Sequence, residues 1–459
     1  MNIRRSPRPL ASRRRRPCRH TTPRPERLEA RQLLAADAGV TLQSELAATE
    51  INAGGNASDA AVVGELVTHT LTLTLAGGTL RDSVLHEAFG DALSYVGFVR
   101  AETSSPLVTV SGGLTPVLAG DGRSLSFPLG TIVNADVDPT TTETVTFTYR
   151  SIVRNVAAAR DAVTSVSTSR FTAAGRVDPV LAVSAPLRIL EPRLDVAAAV
   201  RIAGGATAGS VGDGVTYELT IGGIASSPTA HEVAVSWPLP TADAGSLVSA
   251  PSFVVTDTAG LVTGAAFELV GSDVAGWTLR TCSGVGFDVG GDATRRITAT
   301  ISGTVSNTIL PGNTTRSAAT VTWTSLPGDP GTRAADPTAR ERTGAGGIDG
   351  SRIVALADFR AADFGLTLDV TATSESTGAG RATIGEVVRH RVVSLVPEGD
   401  ISMASARLRV ELPPGLAFVA DGSALCYDVI PDSEDEGRDE RSWATVLSYT
   451  VPVVVNPTP

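Results

Sequence analysis

From Val67 to Leu75 the chain reads Val-Thr-His-Thr-Leu-Thr-Leu-Thr-Leu, with a large side chain at every odd position and Thr at every even one. An extended backbone turns successive side chains to opposite faces, so this period of two predicts a strand with one face in a core and the other in water. Beyond Asp37 the same alternation recurs in short runs separated by turn residues, and helical periodicity has no comparable stretch. The expected fold class is all-β.

The opening of that strand is repeated. Gly64-Glu65-Leu66-Val67 returns as Gly212-Asp213-Gly214-Val215 and again as Gly385-Glu386-Val387-Val388. Counted from each Gly, the inward positions are Val67, His69, Leu71 and Leu73; then Val215, Tyr217, Leu219 and Ile221; then Val388, His390, Val392 and Ser394. The intervals between the glycines, 148 and 173 residues, each suit one sandwich domain with generous loops. A second landmark follows each strand: Phe89-Gly90-Asp91-Ala92-Leu93, Trp237-Pro238-Leu239-Pro240, and Leu412-Pro413-Pro414-Gly415-Leu416. Each reads as a strand ending in a turn with a fresh strand after it. A third landmark, Ser317 to Gly328, alternates as Ala-Thr-Val-Thr-Trp-Thr and then enters Gly/Pro/Arg-rich sequence to about Gly350.

Together these landmarks resemble the conserved-repeat surface domain known as the DUF eleven family. The resemblance implies tandem immunoglobulin-like β-sandwiches of bacterial envelope and secreted proteins. The resulting division is a basic leader over 1–38, then sandwiches over 39–188, 189–365 (with the Gly/Pro-rich end) and 366–459. The third is short, with a mostly acidic loop from Pro431 to Arg441 before one alternating strand at Val446 to Val455.

Composition excludes several chemistries. The chain is 42% hydrophobic, enough for several cores, and all 38 of its basic residues are Arg. Without Lys there is no P-loop amine at a phosphate, no Schiff base and no Lys-Asn isopeptide cross-link. Cys18, Cys282 and Cys426 are odd in number and widely spaced, so no disulfide framework is expected. Met1 to Arg31 carries eleven Arg against Glu26 and Glu29, a net of +9, which leaves −19 for the rest of a chain whose total is −10. An acidic body repels nucleic acid and anionic lipid, so no nucleic-acid partner is expected. No run approaches the ~20 apolar residues of a membrane-spanning helix.

The leader has five prolines and little apolar surface, and is expected to be disordered. It ends in Pro25-Glu26-Arg27-Leu28-Glu29-Ala30-Arg31-Gln32-Leu33-Leu34. Leu28, Glu29, Arg31, Leu33 and Leu34 stand as in the LEPR-XLL motif of exported and surface proteins of planctomycete-type bacteria, with Ala30 at the usual Pro position. That resemblance implies an address at the cell surface or outside the cell.

The search for chemistry yields little. His69, His86, His231 and His390 are too scattered to form a ligand cluster, and two of them hold equivalent places on repeated strands, which favours core packing. Asp432, Glu434 and Glu436, followed by Gly437, open like a calcium loop, but the twelfth position is Trp443 and not a bidentate Glu. A solvated acidic loop is the preferred reading and weak calcium binding the other. Gly284 to Gly290 lacks the third Gly of a dinucleotide fingerprint and precedes no helix, so it reads as strand and turn. No catalytic residue and no cofactor is expected. The function expected is that of a non-enzymatic surface or secreted structural or adhesion protein with envelope or extracellular protein and glycan partners. The alternative is a loop-based module binding carbohydrate, calcium or protein.

Overall fold

The structure, a computed structural model, describes residues 40–50, 59–374 (apart from 137, 139, 243, 244, 329 and 349), 381–395 and 416. The leader, with its motif at Leu28 to Leu34, and the loop containing Asp432, Glu434 and Glu436 lie outside the described residues. Among the described residues the only helices are 3-10 turns at Ala203–Gly205 and Gly264–Ala266, and the rest of the regular structure is strand, as the alternation predicts.

The first unit contains β1 (Val40–Thr49), β2 (Ala60–Val62), β3 (Leu66–Leu75), β4 (Gly78–Ala88), β5 (Leu93–Thr103), β6 (Val108–Val110) and β7 (Val117–Leu118). It continues through β8 (Ser124–Asn134), β9 (Glu143–Val153), β10 (Thr164–Ser165), β11 (Thr168–Ala174), β12 (Val180–Val183) and β13 (Leu187–Leu190). A sheet in the order β1-β3-β9-β5 packs on one in the order β12-β11-β4-β8-β6. Their inner faces share a core with Leu71, Leu73, Leu85, Phe127, Phe147, Tyr149 and Phe171 buried in it. A small third sheet, β10-β13-β2, has β13 parallel to β2.

The second unit contains β14 (Leu194–Ile202), β15 (Gly214–Gly223), β16 (Ala230–Pro238), β17 (Thr241–Ala242), β18 (Gly245–Ser246), β19 (Val248–Asp257) and β20 (Phe267–Ser272). It ends with β21 (Gly276–Thr281), β22 (Phe287–Val289), β23 (Arg296–Val305), β24 (Thr314–Thr324) and β25 (Arg352–Arg360). Its sheets run β14-β15-β23-β19 and β25-β24-β16-β21-β20. The two units therefore share one strand order: opening strand, repeat strand, the long strand that precedes the closing strands and a fourth on one face, with the closing strands on the other.

Of the third repeat the described part is a hairpin, β26 (Gly365–Thr373) and β27 (Val388–Leu395). It reproduces the first repeat's pairing in detail. The β1–β3 register slips between Leu46, opposite His69, and Ala48, opposite Thr68. The β26–β27 register slips between Val370, opposite His390, and Ala372, opposite Arg389.

Alternation in sequence becomes alternation in burial. Along β3 every second residue from Val67 is buried, and β15 repeats this from Val215. The Gly-acid motif that opens these strands is one device used three times. Gly64, Gly212 and Gly385 have φ of +90°, +86° and +91°, a region that L side chains rarely adopt. The acid that follows folds its carboxylate back onto the N–H three residues earlier: Glu65 takes Val62 N–H at 2.9 Å, Asp213 takes Ser210 N–H at 2.7 Å and Glu386 takes Thr383 N–H at 2.8 Å. In return, each acid's own N–H donates at 3.1 Å to the carbonyl of that same earlier residue. A Gly is required for the bend and a carboxylate to satisfy the inner N–H. Gly212→Ala is expected to lower stability by about 1–2 kcal/mol in urea unfolding, the usual penalty for a Cβ in this region. Gly64→Ala is expected to lower it further, because its Cβ would also lie 2.6 Å from Glu341 Cα.

The division at 188/189 falls inside β13, which pairs with β2 and β10 of the first unit. The Gly/Pro-rich stretch lies between two strands of the second unit. It is a loop, 325–351, from which the chain returns as β25 beside β24. Alternation stops at Thr324 and resumes at Arg352, and only pairing across the sheet assigns both runs to one unit.

Candidate functional site

The densest group of titratable side chains sits inside the first sandwich. His69 comes from β3 and Tyr149 from the paired position on β9, and their rings stack 5.3 Å apart at 8°. His69 Nε2 lies 2.7 Å from Ser151 Oγ, and Phe89 meets the imidazole edge-on at 5.6 Å. From the opposite sheet β4 contributes Glu87, whose carboxyl accepts the hydroxyl of Ser169 on the neighbouring strand β11. All of these side chains are buried.

Burial sets the charge state. Desolvation pulls the His69 imidazole down to about 4, so it is neutral near pH 7. Desolvation pushes Glu87 up to about 7 against the opposing effect of the hydrogen bond from Ser169. Tyr149 is held well above the ordinary phenol range by burial and by the Glu87 carboxyl. The group has the residue types of acid–base chemistry, but at 0% exposure for His69 and Tyr149 and 1% for Glu87 no substrate reaches it. Its role is internal: hydrogen bonds and stacking within the core.

Opposed titrations follow. Glu87 keeps its proton in the folded state up to about pH 7 while the unfolded chain loses it near 4.5, so stability falls as pH rises through that window. His69 stays neutral in the folded state down to about pH 4 while the unfolded chain protonates near 6.5, so its contribution rises with pH from about 4 to 6.5. Each is worth about 3 kcal/mol at about 1.4 kcal/mol per pH unit, and across the overlap they offset one another. Glu87→Gln is expected to add, relative to the parent, a rise in stability with pH between about 4.5 and 7. His69→Phe is expected to add a fall between about 4 and 6.5. Urea unfolding followed by circular dichroism as a function of pH checks both, and parallel profiles for all three proteins would contradict the assignment.

At the matching place the second sandwich uses aromatic rings. Tyr217 replaces His69, and Trp237 on β16 meets it in a T-shape at 6.1 Å. The indole Nε1 donates to Ser317 Oγ at 2.6 Å, and that hydroxyl donates to Pro238 O at 2.8 Å. The same sandwich holds a covered ion pair: Asp257 accepts Arg295 Nη2 at 2.8 Å and Nε at 3.2 Å, with the Asp257 side chain at 0% exposure.

The other histidines do not assemble. His86 is exposed, and His231, half-buried, lies 3.1 Å from Asp288. His390 is on the β26–β27 hairpin. Among the described residues no group of three His, Cys, Asp or Glu is placed to hold a metal ion. Cys282 is half-buried and donates to Ala265 O at 3.7 Å, while Cys18 and Cys426 lie outside the described residues. The stretch at Gly284 to Gly290 is a turn followed by β22. Sequence reading passed over Glu87, Ser151, Ser169, Asp257 and Arg295. One signal was present: Glu87 lies in phase with Leu85 and Phe89, the only charge in that inward set.

No protein-family model matches the chain, and no curated protein matches it. Solved structures give distant likenesses. The C-terminal domain of the Streptococcus pyogenes antigen I/II-family protein AspA is 10% identical at a TM-score of 0.30, covering 62% of this chain and 95% of that one. The full-length RrgB pilus protein of Streptococcus pneumoniae is 11% identical at a TM-score of 0.27, covering 78% of this chain and 67% of that one. The collagen adhesin CNA of S. aureus is 10% identical at a TM-score of 0.20, covering 70% of this chain and 93% of that one. Likenesses at this level assign neither a family nor an activity to the chain.

Proposed function

We propose that the protein is a non-enzymatic structural or adhesion protein of the cell surface or extracellular space, in which repeated β-sandwiches set spacing and present lateral surface. The observation that carries this reading is architectural: two sandwiches of one strand order follow each other in the chain, and the Gly-acid turn and bulged hairpin of the first recur in a third repeat. The most reactive side chains of the first unit support it, since they are sealed in its core. The LEPR-XLL-like segment and the conserved-repeat landmarks support the location, and the acidic body suits a soluble exposed surface. No helix among the described residues is long and apolar enough to cross a membrane.

Fractionation of cells carrying the full chain with a carboxyl-terminal tag tests the location. Recovery in the envelope or medium is expected, and recovery in the cytosol alone with the leader intact would overturn it. A glycan array, immobilised extracellular proteins and a calcium titration test the role. Saturable micromolar binding of calcium or one glycan class would replace the spacing role with that of a binding module.

A further inference from the structure

The loop between β24 and β25 has no counterpart in the first sandwich, where the matching β11–β12 connection is only residues 175–179. A connection of this length without regular structure is uncommon in a compact domain. Its course is informative: it turns back over the first sandwich and over the linker 191–193.

The contacts are specific and several are buried. Ser325 Oγ donates to Val63 O of the first unit at 2.7 Å and accepts Arg342 N–H at 2.9 Å. Leu326 joins Ala60, Val62 and Leu190 in a separate apolar cluster. Arg342, 8% exposed, places its guanidinium on four groups: Asn155 Oδ1 at 3.2 Å, Val156 O at 3.3 Å, Ala159 O at 3.0 Å, and the Glu191 carboxylate in the linker. Asn155 returns two bonds, N–H to Thr338 O at 2.8 Å and Nδ2 to Glu341 O at 3.2 Å. Asp336 pairs with Arg154 at 2.7 Å, and Arg333 pairs with Glu50. A planar guanidinium held by three carbonyl oxygens of another unit and a linker carboxylate fixes orientation as well as distance.

The second sandwich supplies an internal control. Its loop after β23 carries Asn307 where the first carries Asn155, two residues past Val305 and Val153 respectively. Asn155 is 5% exposed and Asn307 is exposed, so the loop, not the sandwich, buries Asn155.

We propose that the segment 325–342 is a strap that locks the first and second sandwiches into one rigid body at a fixed angle. The default for adjacent domains is relative motion, unless an interface is large or specifically bonded. Here Arg342 supplies the bonding and Leu326 the apolar anchor, while the linker itself is only three residues long, Glu191, Pro192 and Arg193. The inference does not depend on where the protein resides or what it binds.

The test uses the full chain with Cys18, Cys282 and Cys426 replaced by Ser and spin labels at Asp178→Cys and Val274→Cys, both exposed and one in each unit. The parent is expected to give one narrow inter-label distance distribution. Arg342→Met, and separately a Gly/Ser replacement of 328–340 at equal length, are each expected to broaden it about twofold or more. Far-UV circular dichroism establishes that both variants keep their sandwiches. The parent measurement stands without them: a broad parent distribution overturns the proposal. So does a distribution that stays narrow in both variants.

Discussion

Replacing Asp257 by Ala is expected to lower the stability of the second sandwich by about 3–5 kcal/mol, the range for breaking a covered ion pair from one side. The carboxylate sits at the end of β19 and gathers donors from two directions. Arg295 reaches it with two nitrogens, and the N–H groups of Ala259, Leu261 and Val262 reach it at 3.0, 3.1 and 3.0 Å. Removing it takes the partner from all of these together and leaves the covered Arg295 guanidinium and Val262 amide unpaired, while the exposed Ala259 and Leu261 amides turn to water. Arg295→Met is expected to be milder, because Asp257 keeps its three backbone donors. The Arg295 hydrogen bond, helped by the amides of Ala259 and Val262, holds the Asp257 carboxyl down at about 2 against the opposing effect of burial. A depressed carboxyl contributes stability that is fully present above its ordinary value of 3.8 and lost as pH falls through about 2. Tryptophan fluorescence during urea unfolding reads the effect, since three of the four tryptophans, Trp237, Trp277 and Trp323, belong to this unit. A loss in Asp257→Ala no larger than in Arg295→Met would contradict the assignment of the three amides.

Trp237→Ala is expected to cost a similar 3–5 kcal/mol, from a different cause. The indole is the largest fully buried side chain described and stands between Tyr217 and the hydroxyl of Ser317. Truncation removes its dispersion contacts and leaves a cavity that a sheet bonded on both sides does not collapse to fill. Trp237→Phe retains most of the ring and loses only the Nε1 donor, so about a third of the effect is expected. Urea midpoints for the two variants check this order, with an unchanged denaturant slope showing that the same surface is exposed in each case. Equal losses for Ala and Phe would show that the hydrogen bond to Ser317, not the packing, dominates.

How much was legible beforehand differs from feature to feature. The inward phase of β3 and β15 could be read residue by residue, and the repeated Gly-acid turn was visible as a motif before its hydrogen bonds were known. The three-residue return from acid carboxylate to N–H is local, so its parts lie side by side in sequence. The course of the strap was not legible because its contacts are not local: Arg342 meets Asn155 across 187 positions. The polar cluster was missed for the same reason, since Glu87 and Ser169 stand 82 positions apart on neighbouring strands. Residues Asp432, Glu434 and Glu436, and the motif from Leu28 to Leu34, lie outside the described residues and stay expectations.

What the sequence alone determined is the class of backbone and the face each side chain takes. Both follow from a period of two and from turn residues whose preferences act over three or four positions. The strand order common to both sandwiches, the sealed pairing of Glu87 with Ser169, and the passage of 325–342 over the neighbouring unit were decided only by tertiary structure. Alternation states that a side chain points inward but not which strand it meets there. That choice is made when two sheets close on one another and polar groups such as the Arg342 guanidinium must find partners out of water.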